Sequence, residues 1–173
     1  KVEEEIKYLE SNQYRFLSVY DSYVINEPCS FNNVFTTNSH VVELTSSNID
    51  RYKYDHCNIE IQYRPPFEKL IDIFVRKNQG RVIAYVDDDY ILGYLSYTNI
   101  FDNVNDVDYI YVAETCRQSG IGTLLGSYYA SKTINENKHA LWSNATEISS
   151  KTAIRSGFKW CCKHMSFYKK MDN

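Results

Sequence analysis

Within residues 1–57, Val2, Ile6, Leu9, Phe16, Leu17 and Tyr20 are spaced for one amphipathic helix. An Asn/Ser/Thr-rich stretch, 30–48, follows and is interrupted by the apolar pair Val41 and Val42. Regular alternation begins at 58–63, which reads as a strand. Pro65 and Pro66 then open a helix whose apolar positions Phe67, Leu70, Ile71, Phe74 and Val75 repeat at helical spacing, and Gly80 ends it. Residues 81–86 and 90–97 read as two antiparallel strands joined by a three-residue turn at Asp87, Asp88 and Asp89.

A third strand, 107–113, is apolar on most positions of both faces and so belongs in the middle of a sheet. The period then changes to helical, with Ile121, Leu124, Leu125 and Tyr128 on one stripe directly behind Gly120 and Gly122. A short strand at 139–142, a helix from about Ile148 closed by Gly157, and two terminal strands around 158–162 and 165–169 complete the chain. No internal repeat is evident. The pattern predicts an α/β architecture: a mixed, mostly antiparallel sheet covered by helices, in a domain over 58–173 preceded by a partly helical extension of unknown use over 1–57.

Charge changes the picture next. Between Val82 and Cys116 there are acids and no Lys or Arg, whereas from Arg117 to Lys170 the bases are opposed only by Glu136 and Glu147. If the two blocks flank one cleft, one wall is acidic and the other basic. The whole chain carries a formal charge of -3, which argues against nucleic acid as a partner. No stretch is long and apolar enough to span a bilayer, and the charged run 1–10 lacks the apolar centre of a signal peptide. Five cysteines without framework spacing, two of them adjacent, read as reduced thiols, which favours a cytoplasmic protein. Cys161, Cys162 and His164 have no second pair of ligands to complete a zinc site, so no metal is expected.

The segment with most chemical content is Val112-Ala-Glu-Thr-Cys-Arg117-Gln-Ser-Gly120-Ile-Gly122-Thr. A central strand ends, a short turn follows, and glycines admit a ligand to the amides of a helix N-terminus, where unpaired N–H groups favour phosphate. No Lys-Ser or Lys-Thr follows the second glycine, so this is not a nucleotide-triphosphate loop, and Leu125 stands where a dinucleotide fingerprint needs its third glycine.

The order of elements and the motif Arg117-x-x-Gly120-x-Gly122 resemble the acetyl-CoA signature of the GCN5-related N-acetyltransferase (GNAT) superfamily. Tyr109-Ile-Tyr-Val112-Ala-Glu114 is similar to the family's central strand, with Ala113 in place of the usual proline. Tyr90-Ile-Leu-Gly93-Tyr94 is similar to the strand before it. Ser149-x-x-x-Ala153-x-x-x-Gly157-Phe158 is similar to the tail of one branch, with Thr146 replacing an Asn. The resemblance covers roughly 58–170.

That resemblance implies a GNAT-like fold whose central strand splays from its neighbour, here expected between 90–97 and 107–113. Acetyl-CoA would be the cosubstrate, with no metal. Its pantetheine arm would pair with backbone groups of Ile110, Tyr111, Val112 and Ala113, and its pyrophosphate would sit on the amides of Gln118, Ser119, Gly120, Ile121, Gly122 and Thr123, beside Arg117. The implied reaction is direct transfer of acetyl to a primary amine of a small molecule or a protein. A backbone N–H of Tyr111 or Val112 would hold the oxyanion. Asp106 and Asp108 are the candidates for the base that deprotonates the amine, since period two puts them on one face with Ile110 and Val112. The family's usual acid, a Tyr, falls on Ala153. Ser149, which also borders the expected cofactor, or Tyr168, or a water, would protonate the thiolate instead. A non-catalytic acyl-CoA-binding or regulatory module and a transferase for longer acyl groups are the alternatives, and a homodimer is common among such proteins.

Overall fold

Aliphatic and aromatic side chains alternate along the central strands so that both faces of one sheet are buried, and each face gathers its own core. The computed structural model describes residues 2–12, 14–25, 40–57 and 65–169. After helix α1 (Val2–Ser11) the elements are β1 (Tyr14–Ile25), β2 (Val41–Leu44), α2 (Phe67–Ile71), β3 (Arg81–Asp87), β4 (Tyr90–Phe101), β5 (Val104–Val112), α3 (Ile121–Asn135), β6 (His139–Ala145), α4 (Glu147–Arg155) and β7 (Lys159–Lys169). The strands form a single sheet in the order β2-β3-β4-β5-β6-β1-β7. All pairings are antiparallel except β5 with β6. Among the described residues no helix is long and apolar enough to cross a membrane.

Val82, Ala84 and Val86 of β3, Ile91 and Tyr94 of β4 and Tyr111 of β5 point to the face covered by Phe67, Leu70, Ile71 and Val75. Ile83, Leu95, Tyr97 and Val107 point to the other face, under Ile121, Leu125, Tyr129 and Ala130 of α3 and Ala153 of α4. The buried stripe of α3 is therefore Ile121, Leu125 and Tyr129 at four-residue steps, rather than the stripe through Leu124 and Tyr128 that the spacing suggested. Gly126 lets α3 and α4 meet: a Cβ there would collide with Ser156 Oγ and lie 2.9 Å from the Trp142 ring.

Several expectations need correction. The helix expected through Tyr20 ends at Ser11, and Tyr14–Ile25 is a strand lying between β6 and β7. Residues 14–25 and 41–44, set apart above as an extension, are thus strands of the same sheet as the rest. Their side chains complete its two faces: Tyr23 and Ile25 join the core under α3, and Leu44 joins the core under α2. The two terminal strands are one, β7, paired with β1 along its length. The β3–β4 turn has two residues, Asp88 and Asp89, because Asp87 pairs with Tyr90, and Asp88 takes φ +51°. After α2 the chain widens into a π-type turn (Asp72–Arg76), and the left-handed residue that follows is Asn78, not Gly80. Gly80 supplies room: a Cβ there would lie 2.9 Å from the Phe74 ring. Gly157, at φ +88°, does close α4 as expected. The strand expected at 58–63 lies outside the described residues.

Candidate active site

The opening in the sheet is present but on the other side of β5 from where it was expected. β4 and β5 are joined by a tight turn and stay paired from Phe101↔Val104 to Gly93↔Val112. β6 arrives only after the α3 crossover and pairs in parallel with β5 at just three positions, Val104↔His139, Asn105↔Ala140 and Asp106↔Leu141. Beyond Asp106 the strands part, and β6 gives its other edge to β1. Among the described residues no strand pairs with this edge of β5 from Val107 to Val112, and the edge borders a slot roughly 17 Å long at strand rise.

Backbone direction decides what this edge offers. Ala113 N–H donates to Leu92 O on β4 at 2.8 Å. A Cβ on Gly93 would be 3.0 Å from Tyr111 O, so that carbonyl also faces β4. Alternation then turns the N–H and C=O groups of Ile110 and Val112 into the slot. Of the four residues expected to pair with an extended ligand arm, Ile110 and Val112 face it, while Tyr111 and Ala113 are committed to β4. Of the two proposed oxyanion donors, only Val112 points the right way.

At the open end of the slot the chain makes the predicted turn. After a short 3-10 turn (Glu114–Cys116), Arg117 is extended, Gln118 takes φ +66° and Gly120 takes φ +88°. Ser119 Oγ donates to Cys116 O at 2.5 Å, which pins the turn. The first bond of α3 is Leu124 N–H to Gly120 O, so the amides of Ile121, Gly122 and Thr123 precede the helical ladder. Nothing lies within 4 Å of where a Gly120 Cβ would be, so this glycine serves backbone conformation alone. A Gly122 Cβ would lie 3.4 Å from Thr152 of α4, 3.7 Å from Val112 and 3.9 Å from Ile110, which puts the turn, α4 and the slot edge in one neighbourhood. Ser149 sits in the first turn of α4, its N–H on the cap Thr146 Oγ1 at 3.3 Å and its own Oγ on Thr146 O at 3.2 Å. Tyr168 lies on β7 opposite Arg15.

The charge blocks do not form two clean walls. Arg117 is half exposed and lies 3.3 Å from Glu114. Lys132, at the far end of α3, is held by Glu43 at 2.9 Å and Glu136 at 3.6 Å, and Glu136 also takes Arg81 at 2.7 Å.

The two aspartates separate clearly. Tyr109 pairs with Ser96 and Val107 with Tyr97, leaving Asp108 as the extra residue of a β-bulge. This breaks the period-two argument. Asn105 and Val107 face α3, so Asp106 faces the opposite side, and Asp108 joins it there through Thr98 Oγ1 at 3.3 Å. Ile110 and Val112, past the bulge, face α3 again. Asp106 and Asp108 thus share a face with each other but not with Ile110 and Val112.

Asp106 accepts from Ser143 N–H at 3.0 Å and from Ser143 Oγ at 2.5 Å. Desolvation still pushes its carboxyl above the ordinary range, against those bonds. Asp108, although its surface is exposed, is crowded enough that desolvation pushes its carboxyl up to about 7, with the charge of Asp106 adding and the Thr98 bond opposing. A carboxyl near 7 beside a bulge close to the narrow end of the slot has the proton affinity a general base needs at neutral pH. Ser143 and Tyr129, both at the point where β5 and β6 part, had no signal in the sequence: one reads as an ordinary strand serine and the other as helix core.

A family model described as Acetyltransferase (GNAT) family matches residues 45–156. An acetyltransferase of the GNAT family from Colwellia psychrerythraea superposes with a TM-score of 0.65 at 12% identity, over 93% of this chain and 59% of that one. A GCN5-related N-acetyltransferase from Sphaerobacter thermophilus gives 0.62 at 16% identity, over 93% and 54%. A third, from Kribbella flavida, gives 0.57 at 12%, over 94% and 62%. The chain thus spans less than two thirds of the length of each of these structures. No curated protein matches the chain. With the matched segment running from just after β2 through the slot, the turn and α4, the chain belongs to the acetyltransferase (GNAT) family.

Proposed function

We propose that this chain binds acetyl-CoA along the free edge of β5 and transfers its acetyl group directly to a primary amine in a ternary complex. The single observation that carries the reading is the fork between β5 and β6 with the N-terminus of α3 at its open end. A slot edged by Ile110 and Val112 suits an extended, amide-bearing arm, and the amides of 118–123 with Arg117 suit the phosphates at its other end.

Each step has a residue. The acceptor amine arrives protonated near neutrality, with a reference pKa of about 10.4 for a lysine-like group. Asp108 takes one proton, freeing the nitrogen lone pair to form a C–N bond at the thioester carbonyl carbon. Val112 N–H donates to the carbonyl oxygen as negative charge develops there. The C–S bond then breaks as the nitrogen gives up its second proton, which reaches the departing thiolate through the Ser149 hydroxyl or a water acting as a relay, leaving a neutral amide and CoA thiol, while Asp108 returns its proton to solvent. No acyl-enzyme forms, so no cysteine is required.

Titration calorimetry with acetyl-CoA, followed by a panel of amines with detection of released thiol, tests the reading. Binding followed by amine-dependent thiol release is expected. An absence of binding at high micromolar acetyl-CoA would overturn it, and tight binding without transfer to any amine would reduce it to an acyl-CoA-binding module.

A further inference from the structure

The narrow end of the slot is closed by side chains as much as by backbone. On the α3 face, the fully buried Tyr129 shares its hydroxyl between Asn105 O of β5 at 2.6 Å and Leu141 O of β6 at 3.0 Å. The amide of Asn105 is itself tied to α3, donating to Thr133 Oγ1 at 3.2 Å. On the opposite face, the Asp106 carboxylate takes both the N–H and the hydroxyl of Ser143. Three backbone pairs end here. In a continuing parallel ladder the next β6 amide would seek a carbonyl further along β5 and draw the two strands together. The carboxylate intercepts that donor, and the β6-side backbone groups of Ile110 and Val112 are left without a strand partner among the described residues.

We propose that Asp106 and Tyr129 form a two-sided clamp that fixes where β5 and β6 part and so sets the geometry of the slot. Asp106 is then a positioning residue acting through Ser143, and the proton transfer falls to Asp108 alone. The identity of what fills the slot rests on the function proposed above. The clamp itself rests only on these hydrogen bonds. Tyr129 also ties the fork to α3, the helix whose first turn forms the other end of the site, so one helix holds both ends of the slot in register.

Four variants test this: Asp106→Ala, Asp106→Asn, Ser143→Ala and Tyr129→Phe. The Asn variant keeps an oxygen that can accept the Ser143 amide, and the Phe variant keeps the ring that packs on Tyr97 and Phe158. Amide exchange at Ser143, measured without any ligand, is expected to accelerate by about tenfold or more in Asp106→Ala and far less in Asp106→Asn. Acetyl-CoA affinity is expected to fall by about tenfold in Asp106→Ala, Ser143→Ala and Tyr129→Phe, with KM for acetyl-CoA changing more than kcat. Asp106→Asn is expected to recover most of that affinity and to keep the pH midpoint of the unsubstituted protein. An unchanged Ser143 exchange rate in Asp106→Ala would overturn the clamp. So would equal loss of turnover in the Ala and Asn variants with acetyl-CoA affinity intact, because that is the signature of a base. If the unsubstituted protein binds no acetyl-CoA, the function falls, and Ser143 exchange still decides the clamp.

Discussion

The two edges of β5 are made from the same nine residues and behave in opposite ways. Toward β4 it is joined by a tight turn and paired to its end, whereas toward β6 it makes three pairs and then none. Local connection explains the closed seam, because a hairpin fixes register from the turn outward. The open seam joins strands separated by a whole helix, and its closure depends on Tyr129, Asp106 and Ser143 rather than on chain continuity. A sheet can therefore offer a free edge in its middle when one seam is local and the other is not. That free edge is where an extended ligand finds unpaired backbone.

Breaking the chemistry of the open seam has the largest expected effect. Asp108→Asn should lower kcat by about a hundredfold or more at pH 8, within the usual range for loss of a general base. The sign with pH follows from the raised carboxyl: Asp108 is ionised above about 7, so under the proposed function the unsubstituted protein should lose rate as pH falls through that value. Asp108→Asn should lack this limb, which a pH–rate profile of kcat checks.

The closed seam can be broken from within at Gly93. A Cβ there would stand 3.0 Å from both Ile121 Cγ2 and Tyr111 O, so Gly93→Val must push α3 off the end of β4 or shift β5. A loss of about 1–3 kcal/mol in denaturant unfolding is expected, together with weaker acetyl-CoA binding. Gly120→Ala is smaller and purely conformational, since φ +88° is unfavourable for alanine and nothing crowds the new methyl. It should cost about 1 kcal/mol of stability, with the loss of acetyl-CoA affinity confined to a few-fold.

Because Asp108 is exposed and solvent screens its charge, its effect on stability is the smallest. Its folded carboxyl is raised above the unfolded value, so the folded state holds the proton more tightly. That advantage is complete below the unfolded range near 4 and is lost as pH rises to about 7. Asp108→Asn should therefore raise Tm at pH 8 and leave it nearly unchanged at pH 4. Thermal scans at the two pH values check it.

The same local and non-local division governs how much could be read without coordinates. β3, β4, β5, the turn at Gly120 and α4 were legible because alternation, glycine placement and capping act over a few residues. β1 was misread because its pairing with β7 slips between Phe16 and Ser18 and again between Ser22 and Tyr23, which scrambles period two and leaves Phe16, Leu17 and Tyr20 at helical spacing. The same slips, with polar Lys163 and His164 in mid-strand, made β7 look like two pieces. The site shows the pattern again. The motif behind Arg117 announced the helix end, but the bulge at Asp108 moved both aspartates to the other face, and the fork lay on the seam that no short-range signal describes.

The most direct test is amide exchange along β5 with and without acetyl-CoA. The account predicts that Tyr111 and Ala113 are already protected in the free protein, that Ile110 and Val112 are not, and that saturating acetyl-CoA slows these two by about tenfold or more. If Ile110 and Val112 are as protected as Tyr111 before ligand is added, or unchanged after it, β5 has no free edge and the account is wrong.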